Sequence, residues 1–237
     1  YGIDNMNDYY SVTLKQSRLV KLKEFKNFNF KNIDISERSL VKSVFKDFNP
    51  ERVFNLAAQA GVRYSIKNPY TYIQTNVVGF MNILESCKEN NVGGLIYASS
   101  SSVYGENKDL PFREELNCEK PLSIYAASKK ANELMAHSYS RLYGLKTTGL
   151  RYFTAYGPWG RPDMAIFSFV ESILQNKPIC LFNYGEMIRD FTFIDDIISG
   201  SILAFEKNYP CEIFNIGNDK PVNLKELIHT IENKLKK

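Results

Sequence analysis

Two side chains in the stretch SIYAASKK, residues 123–130, are of the types and spacing for acid–base chemistry: Tyr125 and Lys129. A separation of four is about one helical turn, which puts both on one face of a helix. An ammonium beside a phenol favours the phenolate. A tyrosine with a lowered pKa then serves as a general base near neutral pH. The same Y-x-x-x-K spacing recurs at Tyr104 and Lys108, but Gly105 and Asn107 there signal a turn rather than a helix. Ser100 stands 25 residues before Tyr125, in the run YASSSSVYG. Serines at a strand end also satisfy loop backbone groups, so the surrounding elements must arbitrate.

Short apolar runs alternate with helical stretches through the first part of the chain. Strands are expected at residues 32–35, 52–56, 94–98 and 147–153. Helices are expected at 36–48 with Ser36 as N-cap, at 69–90, and at 122–143 closed by Gly144. This alternation implies an α/β fold, a parallel sheet with helices on both faces. Such sheets bind ligands at the carboxyl ends of their strands, where several polar clusters fall. After Gly157 a turn-rich loop leads to a helix at 165–174, a short strand at 179–182 and further mixed elements. The chain is thus expected to divide into residues 1–157 and a smaller region, 158–237, with residues 187–206 packing back on the first.

The composition, 44% hydrophobic and 24% charged, is that of a soluble globular protein. No apolar run approaches the roughly 18 residues of a membrane span, and no signal-peptide pattern opens the chain. The net charge of +4 is mild, and the stretch KLKEFKNFNFK reads as a solvated helix face running into a strand, not a nucleic-acid patch. Cys87, Cys118, Cys180 and Cys211 are widely spaced and fit reduced thiols in a cytoplasmic protein. With His137 and His229 far apart in sequence, no metal site is expected.

Six stretches, in order along the chain, carry a resemblance: GIDNMNDYY, NLAAQAGVRYSIKNP, YASSSSVYG, SIYAASKKANELMAHSYS, RYFTAYGPWGRPDM and RDFTFIDD. Together they resemble the extended short-chain dehydrogenase/reductase family, and within it the nucleotide-sugar 4-epimerases, most of all those acting on UDP-glucuronate. The resemblance covers nearly the whole chain. It implies a Rossmann-type doubly wound parallel sheet with a smaller C-terminal substrate-binding region. It also implies NAD as cofactor, a UDP-sugar substrate and a homodimer built on helices 69–90 and 126–143.

Residue by residue, the resemblance makes Tyr125, Lys129 and Ser100 catalytic. On the cofactor side, Asp4 would hold the adenosine ribose with Asn5 beside it, and Asp34 and Ile35 would flank the adenine. Leu56, Ala57, Ala58 and Gln59 would line the cofactor with Asn76 behind them. Tyr152 would contribute to the same site, and Lys129 would reach the nicotinamide ribose. On the substrate side, Arg189 would pair with a phosphate. Arg63, Ser101, Ser102, Thr154 and Arg161 would complete the pocket.

Related dehydratases and decarboxylases carry acids where Ser101 and Ser102 stand, and hydroxyls suit a sugar carboxylate better than acids do. The alternatives are a UDP-glucose or UDP-N-acetylglucosamine 4-epimerase, and a non-catalytic nucleotide-binding protein on the same fold. One departure stands out: no G-x-x-G-x-x-G occurs. The family's first strand and Gly-rich turn are absent, and the chain stops soon after FNIGN. An incomplete copy of the fold is therefore expected.

Overall fold

Apolar runs and amphipathic stretches become alternating strands and helices in the computed structural model, which describes residues 1–181 and 183–237. In order these are β1 (Gly2–Asp4), α1 (Val12–Lys23), β2 (Phe30–Asn32), α2 (Arg38–Phe48), β3 (Val53–Asn55), the single turns α3 (Tyr64–Lys67) and α4 (Pro69–Tyr72), and α5 (Phe80–Glu89). Then come β4 (Leu95–Ser100), α6 (Ile124–Tyr143), β5 (Thr147–Tyr152), β6 (Thr154–Tyr156) and α7 (Ala165–Leu174). The chain ends with β7 (Ile188–Phe193), α8 (Ile194–Lys207), β8 (Cys211–Ile216), β9 (Pro221–Asn223) and α9 (Leu224–Leu235).

The strands β3-β4-β5-β8 form one parallel sheet, and β1-β2 form a separate parallel pair. The strands β6-β7-β9 make a small mixed sheet in which β9 runs antiparallel. The sequence of β4 shows why the main sheet is buried on both faces. Leu95 and Tyr97 join the core under α2, α5 and α6, whereas Ile96 joins Leu150 and Ala204 under α8. The period-2 alternation of a strand sends neighbours to opposite faces, so both must be apolar. A third core, Phe169, Phe191 and Leu224, ties α7 and α9 to the small sheet. No helix of the described residues is long and apolar enough to cross a membrane.

Several boundaries differ from the sequence expectation. The strand expected at 32–35 lies at Phe30–Asn32. Beyond it, Asp34 accepts the backbone N–H of Ser36 at 2.8 Å, a local turn that competes with the ladder. Ser36 is therefore not the cap of α2. The helix begins after Glu37, whose side chain makes no capping bond. The helical stretch at 69–90 is interrupted by a π-helical segment, Ile73–Gly79. Gly79, its last residue, packs close to Ile35, where an added Cβ would come within 2.7 Å of the side chain. Residues 179–181 are not in a strand, and residue 182 lies outside the described residues. The chain after residue 158 also returns further than expected: β8, at 211–216, pairs with β5 in the main sheet.

Candidate active site

The end of β4 organises the site. Ser100 is extended, and its hydroxyl caps the 3-10 turn Ser101–Tyr104, accepting from the Ser102 N–H at 3.2 Å and from the Ser102 hydroxyl at 2.9 Å. Alongside, α6 starts where Ser123 accepts the N–H of Ala126 at 3.0 Å, a serine N-cap that satisfies an otherwise orphaned donor. This start puts Tyr125 in the first turn and Lys129 one turn on. Lys129 is buried and donates to the carbonyl of Ala98 at 2.8 Å, two residues before Ser100. The three expected catalytic side chains therefore meet at the carboxyl end of one strand.

The electrostatics differ from the simple Tyr–Lys picture. Burial raises the Tyr125 pKa, and the opposing influences are a hydrogen bond with Ser100 and the charge of Arg161. Lys129 is not among them. Burial in turn lowers its own pKa to about 8, because desolvation disfavours the charged form. Ser100 and Arg161 thus act toward the phenolate against a net upward shift, with Lys129 engaged to the β4 backbone.

A cleft of about 640 Å³ opens beside β1 and the π-helical segment, lined in part by Asn5, Asp34, Ser36, Gln59, Gln74 and Thr75. Asp4 ends β1 with one carboxylate oxygen accepting the N–H of Met6 at 2.6 Å. Asn5 donates to Asp34 at 2.7 Å. Burial pushes the Asp34 carboxyl upward, but its bonds from Asn5 and Ser36 outweigh that and hold its pKa below the usual range. Ile35 departs from expectation. Its side chain lies in the core against Gly79 and does not flank this cleft, because Asn82 holds the carbonyls of Ile35 and Ser36 at 2.9 and 3.0 Å.

The loop after β3 keeps Leu56 exposed and Ala57 and Ala58 half-buried. Asn76 fixes this loop. It exchanges hydrogen bonds with the Gln59 backbone at 2.7 and 3.0 Å, donates to Ser128 at 2.9 Å and accepts from Asn132 at 2.6 Å. Asn76 is thus a buried clamp joining the loop to α6. Tyr152, at the end of β5, is half-buried, and its hydroxyl bonds Ser201 of α8 at 2.8 Å.

On the other side, Ser101 and Ser102 sit half-buried in the turn after β4, and Thr154 opens β6. Arg161 pairs with Asp163, Nε to Oδ1 at 3.0 Å and Nη2 to Oδ2 at 3.1 Å. Arg189, exposed on β7, donates from Nη1 to the Ile188 carbonyl at 2.9 Å, and partial desolvation and then the charge of Arg63 lower its pKa.

Two groups of residues were not anticipated. On α6, Glu133 accepts from Nε and Nη2 of Arg151 at 2.9 and 3.0 Å, with Ser99 and Lys130 completing its carboxylate at 2.7 and 3.0 Å. Tyr9, in the segment after β1, reaches Asp163 at 3.1 Å. Tyr104 proves structural, as its context predicts. Its hydroxyl donates to Asn215 of β8 at 2.7 Å and accepts from Arg151 at 3.1 Å.

The profile of the NAD dependent epimerase/dehydratase family matches residues 5–217. The chain belongs to this family. Protein CapI of Staphylococcus aureus is 51% identical over 254 residues, a match covering 100% of this chain and 76% of that protein. The UDP-glucuronate 4-epimerase of Thermodesulfobacterium geofontis is 46% identical over 232 residues, 98% of this chain and 71% of the enzyme. The fold also matches a crystal structure of UDP-glucuronic acid 4-epimerase from Bacillus cereus in complex with UDP-glucuronic acid and NAD. The TM-score is 0.93 at 34% identity, covering 100% of this chain and 74% of that one. The architecture is therefore the Rossmann-type α/β fold of this epimerase family.

Proposed function

We propose that this protein inverts carbon 4 of UDP-glucuronate to give UDP-galacturonate, with NAD as cofactor and a 4-keto sugar as intermediate. What supports this is the meeting of Ser100, Tyr125 and Lys129 at the end of β4 in a chain 46% identical to a UDP-glucuronate 4-epimerase.

The cleft fits NAD by its donors and acceptors. Asp4 and the Asn5–Asp34 pair present oxygens to ribose hydroxyls, since a carboxylate accepts from both. Lys129 uses one of its three N–H donors on Ala98 and offers the others to a second ribose. Bound NAD supplies the hydride chemistry, acceptor and then donor for carbon 4, so no net redox change occurs.

Tyr125 takes the proton of the 4-hydroxyl and later returns it. Ser100 bonds the same oxygen, while its link to Ser102 fixes the hydroxyl in place. Arg161 adds positive charge that favours the phenolate. Ser101, Ser102, Thr154 and Arg161 receive the sugar carboxylate, which matches hydroxyl donors and a guanidinium whose present partner is the Asp163 carboxylate. Arg189 and Arg63 hold the diphosphate. Residues 1–157 serve as the cofactor-binding region and residues 158–237 chiefly as the substrate-binding region, with α8 and β8 returned to the first.

A cytoplasmic homodimer completes the proposal. Its free cysteines suit a reducing compartment. Leu134, Leu142 and Tyr143 of α6 and Ile73 of the π-helical segment leave apolar surface exposed for a second copy.

Incubating the protein with UDP-glucuronate and NAD, then resolving the products by chromatography, tests the assignment. UDP-galacturonate from the wild type and none from Tyr125→Phe supports it. Turnover of UDP-glucose or UDP-N-acetylglucosamine with none of UDP-glucuronate would replace the substrate assignment. Binding of NAD with no turnover of any of the three would favour a non-catalytic role.

A further inference from the structure

The fork of Arg161 is already engaged by Asp163, and the partner of Asp163 comes from the segment after β1. Asp163 Oδ2 accepts from the hydroxyl of Tyr9 at 3.1 Å, across a sequence separation of 154 residues. Tyr9 is fixed on its own side. Its ring lies 5.0 Å from that of Tyr64, and its hydroxyl stands 2.5 Å from where a Cβ on Gly61 would be. Burial and then the charge of Asp163 raise its phenol to about 12, so it remains a donor at physiological pH. Arg18 of α1 adds a second tie, its Nη2 donating to the carbonyls of Trp159 and Gly160 at 2.5 and 3.0 Å. The loop carrying Arg161 is thus anchored to the strand–helix unit that begins with β1.

We infer that Asp163 is a resident counter-ion for Arg161 that gives way only to a carboxylate of the sugar, and that Tyr9 holds Asp163 aside once it has been displaced. This rests on the reading that Arg161 receives that carboxylate. A guanidinium fork exchanges one carboxylate for another at little cost, since two N–H···O bonds replace two. A neutral hydroxymethyl group offers no such exchange and leaves the Arg161–Asp163 pair closed. Displaced Asp163 keeps the Tyr9 hydroxyl and so is not left without a partner, which would be unfavourable. Asp163 and Tyr9 are therefore positioning residues with opposite effects. Removing the Asp163 charge removes a competitor for Arg161. Removing the Tyr9 hydroxyl returns Asp163 to that competition.

The test is calorimetric binding of UDP-glucuronate and of UDP-glucose to the full chain with saturating NAD. A Tyr125→Phe background prevents turnover. Asp163→Asn is expected to tighten UDP-glucuronate about two- to five-fold, the range of a partly exposed ion pair. Tyr9→Phe is expected to weaken it by a similar factor. UDP-glucose should move less than about two-fold in both, because it never meets the exchange. A purely structural role would weaken both sugars in both variants, and that result, or no effect of Asp163→Asn, overturns the inference. Arg161→Ala separates the two levels. If it leaves UDP-glucuronate binding unchanged, the carboxylate assignment of Arg161 itself fails. If it weakens binding while Asp163→Asn does not tighten it, only the counter-ion inference fails.

Discussion

Lys129 donates to the carbonyl of Ala98 at 2.8 Å from a site only 3% exposed. The ammonium is thereby held at the strand end where the proposed chemistry occurs, and burial lowers its pKa from 10.5 to about 8. Between those values the unfolded chain binds more protons than the folded one, so stability rises with pH across that window. Below pH 8 both states are charged, and the full cost of burying the ammonium remains. Lys129→Met should therefore stabilise the fold at pH 7 by about 1–3 kcal/mol, with the gain shrinking toward pH 10, while activity is lost. Thermal melts of both proteins at the two pH values check this. A mutant that melts lower than wild type at pH 7 would sink it.

Ser100 is one of two groups that oppose the upward push of burial on Tyr125, the other being Arg161. Without the Ser100 hydroxyl the phenol is harder to ionise. Ser100→Ala should lower kcat at neutral pH by roughly 10²-fold and move the acid limb of the pH–rate profile upward. The profile distinguishes this from a loss of substrate contact: an equal drop at every pH, with the limb unmoved, would assign Ser100 to binding instead.

Gly61 shows how the loop after β3 depends on one absent side chain. Its φ is +99°, and a Cβ there would lie 2.5 Å from the Tyr9 hydroxyl. Gly61→Ala should cost about 1–2 kcal/mol in urea unfolding, from backbone strain and from the clash together. Adding Tyr9→Phe removes the colliding oxygen, so the double mutant should recover part of the loss. Strict additivity of the two changes would show that they do not meet.

The parts of this site that are local in sequence were legible in it. Helical spacing placed Tyr125 and Lys129 on one face of the helix expected at 122–143. The unbroken apolar start of β4 placed Ser100 at the end of a buried strand. Contacts that depend on which face meets which were not legible. Glu133 and Arg151 sit on a helix and a strand whose packing no periodicity specifies. Tyr9 and Asp163 lie in loops, where no pattern announces a partner 154 residues away. Ile35 was misassigned because the acidic turn at Asp34 ends the strand early, shifting which residue faces the cleft. Ser36 was misassigned as a cap for the same reason, its N–H being turned back to Asp34. Spacing and the family resemblance pointed to Lys129, but neither could show its burial or its bond to the Ala98 carbonyl.

The helix that carries Tyr125 and Lys129 is fixed to the sheet by a buried ion pair, Glu133 with Arg151, each side chain 2% exposed. Removing one partner strands the other charge, which typically costs about 3–5 kcal/mol. Glu133→Gln should therefore destabilise strongly in urea unfolding, and Glu133→Gln with Arg151→Met should be the milder change. The pH dependence carries a definite sign. Burial raises the Glu133 carboxyl, but the Arg151 and Ser99 hydrogen bonds outweigh it, so its pKa lies below the ordinary glutamate value. Its contribution is fully present above the unfolded pKa and is lost as pH falls through the lower, folded value. Wild type should lose stability across that acid window, and Glu133→Gln should show a flatter decline there. If both proteins decline in parallel, proton uptake by Glu133 is not what unlocks α6.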